Sequence, residues 1–353
     1  MQSVDIGENQ AGQRLDKFLR KLLPEAGSGF LYRMLRKKNI TLNGKKAEGS
    51  EILSPGDTVS FFFSEETYRK FRGENGKGAS EHERAYGLLQ GIRVIYEDAH
   101  VLIACKPAGI LSQKAGPADL SLNEWLTGYL LERNPSLKED LGTFHPSVCN
   151  RLDRNTSGLV LCGKSLPGSQ FLNQCVRERS VGKFYTTICV GDVAQAARIS
   201  GFLEKDEIRN KVHIRKASPS ESGDPDVRHT GQTSGAGSRI ETAYRPLART
   251  GSYTLLEVKL ITGKTHQIRA HLASLGHPLV GDQKYGDRQV NEQFQKRFHL
   301  QYQLLHAGRL VFPVCSDKAG AALSGREISA PVPETFQRIL RELGFPDDSI
   351  VRH

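Results

Sequence analysis

Leu15, Phe18, Leu19, Leu22 and Leu23 recur at i, i+3, i+4, i+7 and i+8. That spacing lays one apolar stripe along a helix, and Pro24 and Gly27 end it. A second helix is predicted over 29–38, with Ser28 as its N-cap. Phe30, Leu31, Met34 and Leu35 then face inward, and Arg33, Arg36 and Lys37 face outward. A strand follows at 40–42. The Asn43-Gly44 pair is a strong hairpin turn signal and places Lys45 just beyond the turn. Pro55-Gly56-Asp57 makes another turn before a strand at 58–63.

Further along, apolar runs predict strands at 92–96, 101–105, 159–162, 184–190, 253–260 and 304–312. Helical periodicity is read at 170–179, 265–275 and 334–343. Several strands follow one another with no helix between them. That favours an α+β fold with a mixed, largely antiparallel sheet over a doubly wound parallel one. Residues 64–90 carry five basic and five acidic side chains among scattered glycines. They read as a linker with some helix near 81–89. In 217–238, eleven of 22 residues are Ser, Gly or Pro and none is aromatic. A stretch so poor in apolar surface is expected to be a mobile insert between strands.

At 353 residues the chain is long enough for two domains. The expected division is 1–63, the linker 64–90, and 91–353. Its longest apolar run is 101–105, far short of a membrane span. No basic segment followed by an apolar core opens the chain, so no secretory signal is expected. None of the six Cys forms a C-x-x-C pair, which argues against zinc ribbons and thioredoxin-type redox chemistry. Reduced thiols in a cytoplasmic protein are the expectation. The formal charge of +10 points to a polyanionic partner. The excess is concentrated: residues 11–46 hold ten Lys or Arg against Asp16 and Glu25 alone. A basic face of this kind contacts phosphates and positions a protein on nucleic acid.

Several candidate motifs fail. Gly263-Lys264-Thr265 lacks the earlier glycine of a phosphate loop, since Val258 stands there. His266 and His271 are five apart, a poor spacing for sharing a metal. What remains is Asn150-Arg151-Leu152-Asp153-Arg154-Asn155-Thr156-Ser157-Gly158, leading into a strand. A carboxylate flanked by guanidinium groups is expected to stay ionised. It suits a nucleophile or an electrostatic anchor better than a general acid. Taken locally, it also suits a salt bridge tying a loop to the sheet.

The other segments change that balance. They are 101–109, Lys183-Phe184-Tyr185, 263–272 with its Thr265-His266-Gln267-Ile268-Arg269, 275–282, and Leu305-His306-Ala307. Together, over residues 91–345, they resemble the RluA-type pseudouridine synthases. Residues 12–62 resemble the RNA-binding domain named after ribosomal small-subunit protein four. The resemblance implies an isomerase that converts uridine to pseudouridine within RNA, on a pseudouridine-synthase fold with a central cleft. It implies no metal, nucleotide or redox cofactor. Asp153 matches the catalytic Asp, Tyr185 the aromatic that stacks on the base, and Arg269 the basic partner of the carboxylate. Arg151 matches the Arg that fills the gap left by the flipped nucleotide. Arg33, Arg36, Lys37 and Lys45 are the expected RNA contacts of the N-terminal domain. Asn150 stands where the family usually has His.

The implied partner is ribosomal RNA of the 23S type or its precursor, with transfer RNA as the alternative substrate. The expected protein is a cytoplasmic monomer that avoids membranes. Two rivals stand beside this reading. One is a non-catalytic RNA-binding ribosome-assembly factor. The other is a hydrolase, which would need a second carboxylate across the scissile bond.

Overall fold

The computed structural model describes residues 2–72, 76–135, 137–206, 211–216 and 237–346. The N-terminal unit comprises β1 (Gln2–Asp5), α1 (Leu15–Leu22), α2 (Ser28–Arg36), β2 (Ile40–Leu42), β3 (Lys45–Lys46) and β4 (Thr58–Phe61). Its sheet runs β1-β4-β2-β3, antiparallel throughout. The apolar stripe of α1 buries Leu15, Phe18, Leu19 and Leu22. Asn43 and Gly44 both take positive φ, so the turn bends as their residue types require. Two details differ from expectation. Gly27 is the N-cap of α2, without a side-chain bond, and Ser28 is the first helical residue. Phe30 is half-buried rather than buried, and its ring lies 4.4 Å from that of Phe71.

Phe71 belongs to the segment expected as a linker. That segment is α3 (Glu65–Arg72) followed by α4 (Gly76–Leu88). Tyr68 of α3 is buried in the N-terminal core. Tyr86 of α4 packs on Trp125 and Tyr129 of the next domain. Balanced charge concealed the few aromatic anchors that fasten this connector to both sides. Direct contacts reinforce it: Gln10 Nε2 donates to Thr143 Oγ1 at 3.2 Å and Gln170 Nε2 to the Gly12 carbonyl at 3.5 Å.

The larger domain comprises β5 (Arg93–Glu97), β6 (Val101–Lys106), α5 (Leu122–Arg133), α6 (Leu137–Asp140), β7 (Ser147–Val148), β8 (Ser157–Gly163), α7 (Leu166–Glu178), β9 (Gly182–Val190), β10 (Ala197–Asp206), β11 (Lys211–Lys216), β12 (Ser238–Arg249), β13 (Tyr253–Leu260), α8 (Gln267–Ser274), α9 (Arg288–Phe298), β14 (Leu305–Val311), β15 (Glu327–Ser329) and α10 (Glu334–Glu342). The main sheet runs β11-β10-β12-β13-β9-β14-β8-β6-β5, with β15 on β14 and β7 on β8. Among the described strand pairs of this sheet, only the short β14–β8 contact is parallel. The fold is therefore α+β with a mixed, largely antiparallel sheet.

Strands β6 and β8 are buried at every position, which explains their unbroken apolar runs. Helix α5 escaped periodicity because it too is buried nearly all round, from Leu122 through Leu130 apart from Asn123. Its start was nonetheless encoded, as a capping box of Ser121 and Glu124. Strands β10 to β12 extend the sheet around the polar insert. Of that insert, 217–236 lie outside the described residues, and Ser238 already belongs to β12.

Candidate active site

The centre of the sheet sets the site. Gly158 on β8 pairs with Ala307 on β14, and Ala307 pairs with Tyr185 on β9. Gly158 has φ +121°, and a Cβ there would lie 2.3 Å from the Ala307 carbonyl oxygen. Only glycine lets β8 approach β14 this closely. The loop just before it carries Asp153.

That loop is pinned from several sides. Ser112 Oγ accepts from the Leu152 amide at 3.0 Å and donates to the Leu152 carbonyl at 3.1 Å. The Gly109 amide donates to the Arg154 carbonyl at 2.9 Å. Gln303 Nε2 donates to Thr156 Oγ1 at 3.1 Å. Asn150 Oδ1 accepts from the Leu161 amide at 2.7 Å, fastening the loop's entry to β8. His306 joins the two parallel strands as a fully buried neutral ring. Its Nε2 donates to the Ala330 carbonyl and its Nδ1 accepts from Ser157 Oγ. Burial draws its pKa down to about 4.

Lys106 lies beneath the loop with no exposed surface. Its Nζ donates to the carbonyls of Pro107, Ile110 and Arg154 at 2.9, 2.8 and 3.1 Å. Three acceptors match the three protons of an ammonium. Burial draws its pKa down to about 7, against the pull of Asp153. Unfolding therefore takes up a proton between about pH 7 and about pH 10, and stability rises with pH across that window. Lys106→Met is expected to remove this rise. It also leaves the Pro107 and Ile110 carbonyls without a donor, at roughly 1–3 kcal/mol for each group left buried, while the Arg154 carbonyl keeps the Gly109 amide. Urea unfolding of both proteins at pH 7 and pH 9.5 checks both effects, and a variant as stable as wild type would refute them.

Asp153 is paired, but not by its sequence neighbours. Arg151 is exposed on the cleft wall, and Arg154 Nε donates to the Gly109 carbonyl. The guanidinium that reaches Asp153 is Arg269 on α8, with Nη1 2.8 Å from Oδ2. Arg269 is itself clamped by Asp282, with Nε to Oδ2 at 2.7 Å and Nη2 to Oδ1 at 2.8 Å. Asp282 stands outside the cleft lining. It is fully buried behind Arg269, and its Oδ1 also accepts from the amides of Lys284 and Tyr285. Burial works against its charge, yet Arg269 and those amides hold its pKa below the usual carboxylate range.

His266 adds a second polar group. It caps α8 in the left-handed conformation, φ 55°. Tyr285 Oη accepts from the Val212 amide at 2.9 Å and shares a hydrogen bond with His266 Nδ1 at 3.0 Å. The other ring nitrogen, Nε2, faces Asp153 Oδ2 at 3.9 Å. Burial holds the His266 pKa below its usual value, outweighing Asp153. His271 turns away, bonding Thr242 from a buried position.

Tyr185 lines the same cleft, buried to 5% exposure. Burial, reinforced by Asp153, keeps its phenol protonated well above the ordinary range. The cleft has a volume of about 680 Å³. Asp153 is the one carboxylate among the described residues lining it, whereas Arg151, Arg154, Arg179, Lys183 and Lys264 line it without a carboxylate partner. Asp153, Tyr185, Arg269 and Arg151 are thus brought together. Arg33, Arg36, Lys37 and Lys45 lie elsewhere, exposed on α2 and at β3. Lys106 and Lys183 stood in matching segments without a role at the site, and Tyr285 escaped sequence reasoning. No local feature marks a lysine as buried, and Tyr285 acts through a strand 73 residues away. Among the described residues, no group of three or more His, Cys, Asp or Glu side chains is placed to hold a metal ion.

Comparison with known proteins agrees with this geometry. The family described as RNA pseudouridylate synthase matches residues 100–274. A ribosomal large subunit pseudouridine synthase C from Vibrio vulnificus (strain CMCP6) is 28% identical over 344 residues, covering 97% of this chain and 96% of that protein. The protein of the same name from Escherichia coli (strain K12) is 28% identical over 342 residues, covering 96% of each. Among solved structures, Human RNA Pseudouridylate Synthase Domain Containing 4 shares the fold. The match has a TM-score of 0.56 at 22% identity, over 75% of this chain and 97% of that one. With the cleft built as described and the likeness running along nearly the whole sequence, the chain carries at residues 100–274 the synthase domain of the RNA pseudouridylate synthase family.

Proposed function

We propose that the protein isomerises uridine to pseudouridine in large-subunit ribosomal RNA. The observation that carries the reaction is the cleft, where a single carboxylate held by Arg269 sits beside a buried aromatic ring and is rimmed by unpaired cations. In this reading Asp153 acts at the anomeric carbon of the ribose and promotes departure of the base. Tyr185 stacks on the freed uracil, which turns without leaving the pocket. Ring carbon five then bonds to the sugar and loses its proton to solvent, while the nitrogen released from the sugar takes one up, so the product is an isomer of the substrate. Arg269 aims the carboxylate, and Arg151 fills the gap left by the extruded nucleotide. Extrusion costs a few kcal/mol, offset by stacking and phosphate contacts.

The names of the near-full-length relatives support the ribosomal substrate. Arg33, Arg36, Lys37 and Lys45 support RNA docking, being exposed and without carboxylate partners among the described residues. The lone carboxylate weighs against a hydrolase working with a pair. The protein acts in this reading as a cytoplasmic monomer without a cofactor. No helix among the described residues is long and apolar enough to cross a membrane.

The test is tritium release from RNA labelled at uracil carbon five. Transcripts of large-subunit ribosomal RNA and of transfer RNA are run separately. Release from ribosomal RNA is expected. Release from transfer RNA alone would replace the substrate, and release from neither would favour the assembly-factor reading. Changing Arg33, Arg36, Lys37 and Lys45 together to Gln should lower the salt dependence of binding by up to ~3 in log–log slope.

A further inference from the structure

Residues two apart on a strand face the same side, about 6–7 Å from one another. Lys183 and Tyr185 of β9 stand in this relation, and both line the cleft. Lys183 is only 8% exposed, yet its ammonium has no carboxylate and no hydrogen-bond acceptor among the described residues. Its Nζ lies against Gly263, where a Cβ would come within 3.7 Å. A buried, unpaired lysine opposes folding, and such groups collect where function requires them.

The neighbouring charges indicate what is missing. Asp153 acts on Lys106, Tyr185 and His266, whereas the charge acting on Lys183 is that of Arg179. Like charges therefore gather around Lys183, whose Nζ lies against Gly263, the residue just before Lys264. Arg179 ends α7 in the left-handed conformation, exposed on the cleft wall. Lys264 is exposed on the facing loop. Gathered cations select a full negative charge over the neutral carbonyl of a base. In RNA that charge is the backbone phosphate, which lysine binds as a point charge.

We propose that Lys183, with Arg179 and Lys264, forms a phosphate subsite that seats the backbone beside the target uridine while Tyr185 holds the base. The proposal rests on the RNA-modifying reading above.

The experiment compares wild type, Lys183→Met and Lys183→Arg on large-subunit ribosomal RNA transcripts. Binding is measured across a salt series, turnover by tritium release, and stability by thermal unfolding. Lys183→Met is expected to raise KM about tenfold with kcat within about threefold. It should reduce the salt slope by about 0.7 without lowering Tm, since it removes an unpaired buried charge. Lys183→Arg keeps the slope. An unchanged slope in Lys183→Met overturns the subsite, as does a loss of kcat with KM intact, which would assign the lysine to the base or sugar. A fall in Tm that parallels the loss of binding makes the residue structural and overturns it too. Binding is read without turnover. A wild type that binds but releases no tritium would thus refute the reaction and leave the test of Lys183 standing.

Discussion

Asp153→Asn is expected to lower turnover on the order of 10⁴-fold, a typical result when a central catalytic carboxylate becomes an amide. The loop should survive the change. Leu152 remains bonded to Ser112, Arg154 to Gly109 and Lys106, and Thr156 to Gln303. The amide oxygen of Asn can still accept from Arg269 Nη1, and Arg269 keeps its two bonds to Asp282. What disappears is the negative charge at the sugar. RNA affinity should hold or tighten slightly, because the variant removes the one carboxylate lining an otherwise cationic cleft. Single-turnover tritium release and filter binding on the same transcript separate the two effects. Turnover within tenfold of wild type would remove Asp153 from the mechanism.

Asp282→Ala is expected to have the largest effect on stability. Arg269 is buried, and Asp282 is its bidentate partner with no exposed surface. Breaking a buried pair by deleting one member destabilises by about 3–5 kcal/mol, because the other charge stays behind. The amides of Lys284 and Tyr285 also lose their acceptor. Tyr285 should then drift from His266, and Arg269 from Asp153. Activity falls along with stability, and chemical denaturation measures the latter. A loss below 1 kcal/mol would show that the pair is better solvated than its burial indicates. The sign with pH follows from the depressed pKa of Asp282. Its contribution is fully present above the unfolded carboxylate pKa of about 4 and is lost as pH falls through the lower folded value. Wild type and variant should therefore converge in stability only in acid.

The N-terminal unit was legible because it is small and locally encoded. An apolar stripe fixed α1, and Asn43-Gly44 fixed the hairpin. In the larger domain, strands rich in apolar residues were legible, as were α7, α8 and α10, and the buried helix α5 was not. Helix α5 has no polar face to give it a period, and α3 and α4 together join two cores through a few side chains. The strands around the polar insert were invisible for a related reason, since their pairing is with one another across that interruption.

Asp153 shows the same division within the site. The sequence marked the residue and set two arginines beside it. Neither arginine pairs with it, and the partner arrives from a helix 116 positions later. Residue types with local consequences were determined by the sequence itself: glycine where β8 meets β14, turn formers at the hairpin, and an excess of cations for an anionic partner. Which charge meets which was decided only by the tertiary structure. A side chain's partner depends on the strands and helices that bring distant segments within 3 Å, and burial then determines whether that contact is tight or loose. Lys106 caged by carbonyls, Asp282 hidden behind Arg269, and Lys183 left without an anion are three outcomes for charged side chains that look alike in sequence.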